Sequence, residues 1–127
     1  MDAMHEPEHF EIVDDIGIFR PAGHVSLNQM VQLVTSAITF ARDQNIRRLL
    51  VVTSALFGFE APSAIARFEF IQEWAYASGG VVRVALVARP EMIDPQKFGV
   101  IVAANRGLVA NIFVSEPEAI TWLQNVK

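Results

Sequence analysis

Residues Leu49 to Phe70 read LLVVTSALFGFEAPSAIARFEF. Leu49–Thr53 is an apolar run with no alternation and no polar break, the pattern of a strand buried on both faces, as in parallel sheets. The run ends at Thr53-Ser54 in a loop carrying Phe57 and Phe59, and the chain restarts as a helix at Pro62-Ser63. Ligands of open α/β sheets bind where strands end and helices begin, so a site is sought here first. The loop lacks the acids, bases and glycine pattern of a known reaction centre.

Working outward, the helix after the loop spans about Pro62 to Ser78 and stops at Gly79-Gly80. Ile65, Phe68, Ile71, Gln72 and Ala75 form one stripe along it, and Phe70, Trp74 and Ala77 another. On the other side, Ser26 with Gln29 three residues on is a capping box. It opens a helix whose apolar residues Leu27, Met30, Val31, Val34, Ile38 and Ala41 recur at helical spacing down to about Gln44. Before it, Phe10–Asp14 and Ile16–Arg20 read as a hairpin.

Toward the C-terminus, Arg83–Ala88 is a second buried strand and Asp94-Pro95 starts a further helix, ending at Asn105-Arg106-Gly107. Asn111–Val114 is the last strand, and Ser115 with Glu118 caps a terminal helix. The order β-β-α-β-α-β-α-β-α predicts an α/β fold: a mixed, mostly parallel sheet flanked by helices, with one antiparallel member. Residues 1–9 read as a flexible N-terminal tail and 10–127 as a single domain.

Composition narrows the function classes. Of 127 residues 52% are hydrophobic and only 19% charged, so the chain is a buried globule whose apolar surplus covers a ligand or partner surface, a homodimer among them. With a net charge of −4 and scattered basic residues, nucleic-acid binding is disfavoured. No cysteine is present, which excludes disulfides, thiolate catalysis and cysteine-ligated zinc. The polar, acidic start MDAMHEPEH is unlike a signal peptide, and the longest apolar runs, such as Val100–Ala104, are too short to span a bilayer. The location expected is cytoplasmic.

Several side chains carry two readings. Ser63, in the first helical turn, is either a phosphorylation or anion site or a helix cap; Ser54 is either a polar contact or a satisfied strand end. Phe57 and Phe59 either line an apolar cleft with Phe68 and Phe70 or plug the core. Arg89, at the end of a strand beside the Ser54 loop, either holds a carboxylate or phosphate or pairs with Glu91 or Asp94. Arg67, one turn into the second helix, either faces this region or is solvent-exposed, and exposure is the reading preferred. His5 and His9 have metal-ligand chemistry, but a proline between them and a tail location argue against a site; His24 stands alone.

The segments VVTSALFGFEAPSAIARF (51–68), VALVARPEMIDPQKFGVIVAANRGL (84–108) and IFVSEPEAITWL (112–123), in this order of elements, resemble a STAS-like domain. That family comprises anti-sigma-factor antagonists and sulfate-transporter tails, and the SpoIIAA-like group, related by fold to CRAL-TRIO lipid carriers, is the closer match. In phosphorylatable antagonists a strand ending in aspartate leads to an Asp-Ser pair at the next helix start. By this resemblance Ser54 falls near the first aspartate, Pro62 replaces the second, and Ser63 falls at the phosphoserine. The serine is kept and both acids are gone.

Together these readings point to a non-enzymatic binding or regulatory domain of bacterial type, without cofactor or metal. Its site would be Ser54, Phe57, Phe59, Ser63, Phe68 and Arg89, taking a lipid or other amphipathic small molecule, or a membrane or protein surface. The alternative is a phospho-regulated interaction module for a regulatory protein partner, with Ser63 as the switch.

Overall fold

A computed structural model describes residues 6–126 of the chain. Strands β1 (Phe10–Val13) and β2 (Ile16–Phe19) form the expected hairpin. Asp14 and Asp15 at its tip both have positive φ, 49° and 69°, as a two-residue turn matched to strand twist requires. After a two-residue strand β3 (Gly23–His24) comes α1 (Leu27–Asp43), closed by the full Ser26–Gln29 capping box. Then follow β4 (Arg48–Val52), a second two-residue strand β5 (Leu56–Phe57), α2 (Ala64–Ser78), β6 (Arg83–Val87), α3 (Phe98–Asn105), β7 (Ala110–Phe113) and α4 (Glu116–Asn125).

The main sheet has the order β1-β2-β4-β6-β7, parallel throughout except for the β1–β2 pair. The predicted mixed, mostly parallel architecture is therefore the one observed. Alternation along β4 shows why its run needed no polar residue. Leu49 and Val51 enter a core with α1, α2 and α3, while Leu50 and Val52 enter a second core under α4. Both faces of the strand are dry from Leu49 to Val52, so each of those positions is apolar.

Helix positions follow from a few polar ties. The indole Nε1 of Trp74 donates to the Val31 carbonyl at 3.2 Å and joins α2 to α1 inside the core. Arg48 donates to the carbonyls of Leu123 and Val126, satisfying the C-terminal end of α4. At the other end of α4, Arg20 grips Glu116 with two bonds, at 2.8 and 3.2 Å, and Glu11 with a third. The Arg20 guanidinium holds the Glu116 carboxyl below its ordinary pKa.

Four sequence expectations need correction. Strands β3 and β5 pair with each other in a separate parallel ribbon that the sequence order lacked; two residues each are too few to show a period. The third helix starts at Phe98 rather than Asp94. Asp94 Oδ2 still accepts the Phe98 amide at 2.7 Å, but Pro90–Met92 forms a 3-10 turn and Lys97 takes a left-handed backbone, φ 51°, which delays the helix. Ile65 does not join a core stripe: it is 74% exposed, because the first turns of α2 lie clear of the core and burial begins near Phe70. Arg67 is half-buried rather than solvated, its Nη2 donating to the Met92 carbonyl at 3.0 Å.

Residues 1–5 of the expected tail, His5 among them, lie outside the described residues. Within the rest of that segment, the His9 carbonyl accepts the Arg20 amide at 3.1 Å.

Candidate functional site

Strands β4 and β6 are parallel neighbours, so the segments leaving their C-terminal ends emerge side by side. Thr53, just past β4, bonds the Val87 carbonyl through both its amide (2.8 Å) and its hydroxyl (3.0 Å), fixing one exit against the other. The loop to Ser63 is also held. Leu56 is fully buried, and the pairing of β5 with β3 is extended by Gly23 and Val25 amides donating to the Ala55 and Phe57 carbonyls. Gly58 then turns the chain with φ 111°; a Cβ there would stand 2.6 Å from the Val25 carbonyl oxygen.

That turn separates the two loop phenylalanines. Phe57 is 50% exposed and meets the His24 ring edge-on, with centroids 5.3 Å apart. Phe59 packs against the core and lines a cavity of about 100 Å³ between α2, α3 and the sheet. The cavity interior is apolar, formed by Phe70, Ile71, Trp74, Val84, Leu86 and Leu108 among others. Its rim carries Thr53, Arg67, Arg89, Asp94, Lys97 and Asn111.

The rim cations are only partly engaged. Arg89 Nε forms an ion pair with the exposed Glu91 carboxylate at 3.6 Å, the pairing that one sequence reading gave it, though the contact is longer than a hydrogen bond. Lys97 Nζ donates to Asn111 Oδ1 at 3.1 Å and sits 5.5 Å from the Phe113 ring centroid. Of the residues singled out from sequence, Phe59 and Arg89 thus come together at this cavity. Ser54, Phe57, Ser63 and Phe68 lie outside its lining. Sequence reasoning weighed Arg67 as facing this region from one turn into α2 but favoured solvent exposure, and it passed over Lys97, which no signal marked.

Ser63 is exposed and caps α2, its Oγ accepting the Ala66 amide at 3.1 Å. The first turns of α2 and part of α3 also expose apolar side chains. Ile65 and Phe68 are exposed on α2, and the Arg106 guanidinium stacks 5.4 Å from the Phe68 ring centroid. Ile101 on α3 is 56% exposed. Among the described residues there is no cluster of three potential metal ligands and no helix long and apolar enough to cross a membrane.

No protein-family model matches the sequence, and no curated protein matches it either. The structure does have a solved counterpart. A Thermotoga maritima protein, TM1081, provisionally assigned as an anti-sigma factor antagonist, superposes in its crystal structure with a TM-score of 0.55. It is 15% identical, over 91% of this chain and 93% of that one. The chain has a STAS-like fold. The solution structure of TM1081 aligns over 99% of this chain and 98% of its own, at 16% identity and a TM-score of 0.49. Ser63, the residue that the sequence resemblance sets at a phosphoserine, is the N-cap of α2.

Proposed function

We propose that the chain is a non-catalytic regulatory domain of the cytoplasm that docks a protein partner through the start of α2, with Ser63 as a phosphorylation switch. The observation that carries this reading is the setting of Ser63: an exposed residue at a helix N-terminus, followed two and five residues on by the exposed apolar side chains Ile65 and Phe68. The N-terminal dipole and free amides of α2 favour a phosphate there, while the apolar neighbours favour a docked surface. Adding about two negative charges beside that surface would repel a partner packed on it. The assignment of TM1081, which shares the fold, supports a protein partner of the anti-sigma kind. The missing acids around Ser63 separate this chain from the phosphorylatable antagonists in sequence, so the kinase and partner would differ.

The test is affinity capture from the native cell with wild-type, Ser63→Ala and Ser63→Asp proteins, alongside mass spectrometry of Ser63. A partner kept by wild type and Ser63→Ala and lost by Ser63→Asp, with phosphate found on Ser63, is the expected result. No phosphate and identical captures would overturn the switch. Native mass spectrometry of the same samples reports whether a second copy of the chain occupies the surface instead.

A second reading has its own observation, the apolar cavity beneath α2 and α3. It supports binding of an apolar or amphipathic small ligand at the strand ends, with Phe59 and Arg89 in contact. At about 100 Å³ the space is below the range of drug-sized pockets, so the ligand would be small.

A further inference from the structure

The charge at the cavity rim runs against the charge of the chain. The protein carries a net −4, yet the cavity rim holds three cations, Arg67, Arg89 and Lys97, against one lining acid, Asp94, with the exposed Glu91 paired to Arg89 from outside the lining. Asp94 already accepts the Phe98 amide through Oδ2. Glu91 is ion-paired with Arg89 at 3.6 Å, but it is more than half exposed, so a bound carboxylate would displace only a weak, solvated partner. Arg67 spends one N–H on the Met92 carbonyl and Lys97 one on Asn111, leaving each with further donors. Behind these groups the walls are Phe70, Trp74, Val84, Leu86 and Leu108, with no charged side chain among them.

We infer that the cavity binds a small monoanionic amphiphile, a short-chain carboxylate of about four to six carbons. Its head would lie on Arg89, whose planar fork matches a carboxylate, with Arg67 and Lys97 adding charge. Its tail would lie between Trp74 and Leu108. The inference rests on the second reading above, that the cavity holds a ligand, and adds its class and size.

Size follows from volume. An apolar cavity of about 150 Å³ accommodates a six-carbon ring, so about 100 Å³ accommodates roughly four carbons, with the carboxylate and its neighbour at the mouth. A long acyl chain would have to leave most of its methylenes in water. A bare inorganic anion would satisfy the rim and leave the apolar interior unfilled.

The experiment is an amide NMR titration of the full chain with acetate, butanoate, pentanoate, hexanoate, decanoate, 1-pentanol and inorganic phosphate. Shifts at Phe59, Trp74, Arg89 and Leu108 are expected, with affinity rising about fourfold per methylene up to pentanoate or hexanoate and not beyond. The alcohol should bind at least tenfold more weakly than pentanoate. Arg89→Gln, a half-buried rim position, should remove most of that difference without changing the alcohol. Ala110→Leu, which fills the cavity, should abolish all shifts; Arg89→Gln carries the test alone if that variant does not fold.

If 1-pentanol binds as tightly as pentanoate and Arg89→Gln has no effect, the carboxylate class is wrong while the cavity remains a ligand site. If decanoate binds best, the size limit is wrong. If no probe shifts the cavity residues at millimolar concentration, the inference and the ligand reading fall together. None of these outcomes bears on docking at Ser63, which the capture experiment decides.

Discussion

Phe57 and Phe59, two residues apart, occupy opposite environments: Phe59 packs on the core and lines the cavity, while Phe57 stands half-exposed against His24. Their mutational effects should differ accordingly. Phe59→Ala removes a partly buried ring and should cost about 2 kcal/mol, below the range for a fully buried phenylalanine. Phe57→Ala should cost less than about 1 kcal/mol. Urea denaturation of the two variants measures this, and equal losses would contradict the division of roles.

Ser63 has a structural task whatever else it does. Its Oγ accepts the Ala66 amide, so Ser63→Ala should destabilise the protein by about 1 kcal/mol. Ser63→Asp should retain most of the stability, since aspartate is as good a cap and adds favourable charge at the helix start. A thermal melt of both variants beside wild type checks the order. A stable Ser63→Asp protein also means that any partner lost by that variant is lost through charge rather than unfolding.

The long elements were legible because their periods were long enough to read. Seventeen residues of α1 repeat an apolar stripe between a capping box and Gln44, and the four unbroken apolar residues Leu49–Val52 mark β4. The ribbon of β3 and β5 was not legible, because a two-residue strand has no period and its pairing is non-local. The site divides in the same way. Phe59 and Arg89 follow from their places after strands, but Lys97 reaches the rim only because a left-handed turn delays α3. The stripe through Ile65 and Phe68 had a helical period, and that period cannot tell a core face from one left open to solvent.

Gly58 lets the loop form. Its φ of 111° lies where L-residues are strained, and a Cβ would meet the Val25 carbonyl oxygen at 2.6 Å and the His24 ring at 2.9 Å. Gly58→Ala should therefore cost about 2–4 kcal/mol, more than ordinary surface substitutions. The loss should be local first. Hydrogen exchange at the Gly23 and Val25 amides, which pair with this loop, should accelerate more than exchange at Leu50 or Ala85 in the main sheet. Uniform acceleration would show that the loop has no strain of its own.

Acid sensitivity should concentrate at the N-terminal end of α4. Arg20 lowers the Glu116 pKa chiefly by hydrogen bonding, against a smaller opposing effect of burial. The folded value is then below the unfolded one, so as pH falls the unfolded chain takes up the proton first. The pair's contribution is full above about pH 5 and disappears as the pH drops through the folded value. With both side chains about one-third or more exposed, it is worth only about 0.5–1 kcal/mol at pH 7. The difference in unfolding free energy between wild type and Glu116→Gln should take that size at pH 7 and shrink toward zero at an acid pH below the folded value. A difference unchanged between the two pH values would mean that the carboxylate charge contributes nothing, and that Glu116 holds α4 to β2 by packing alone.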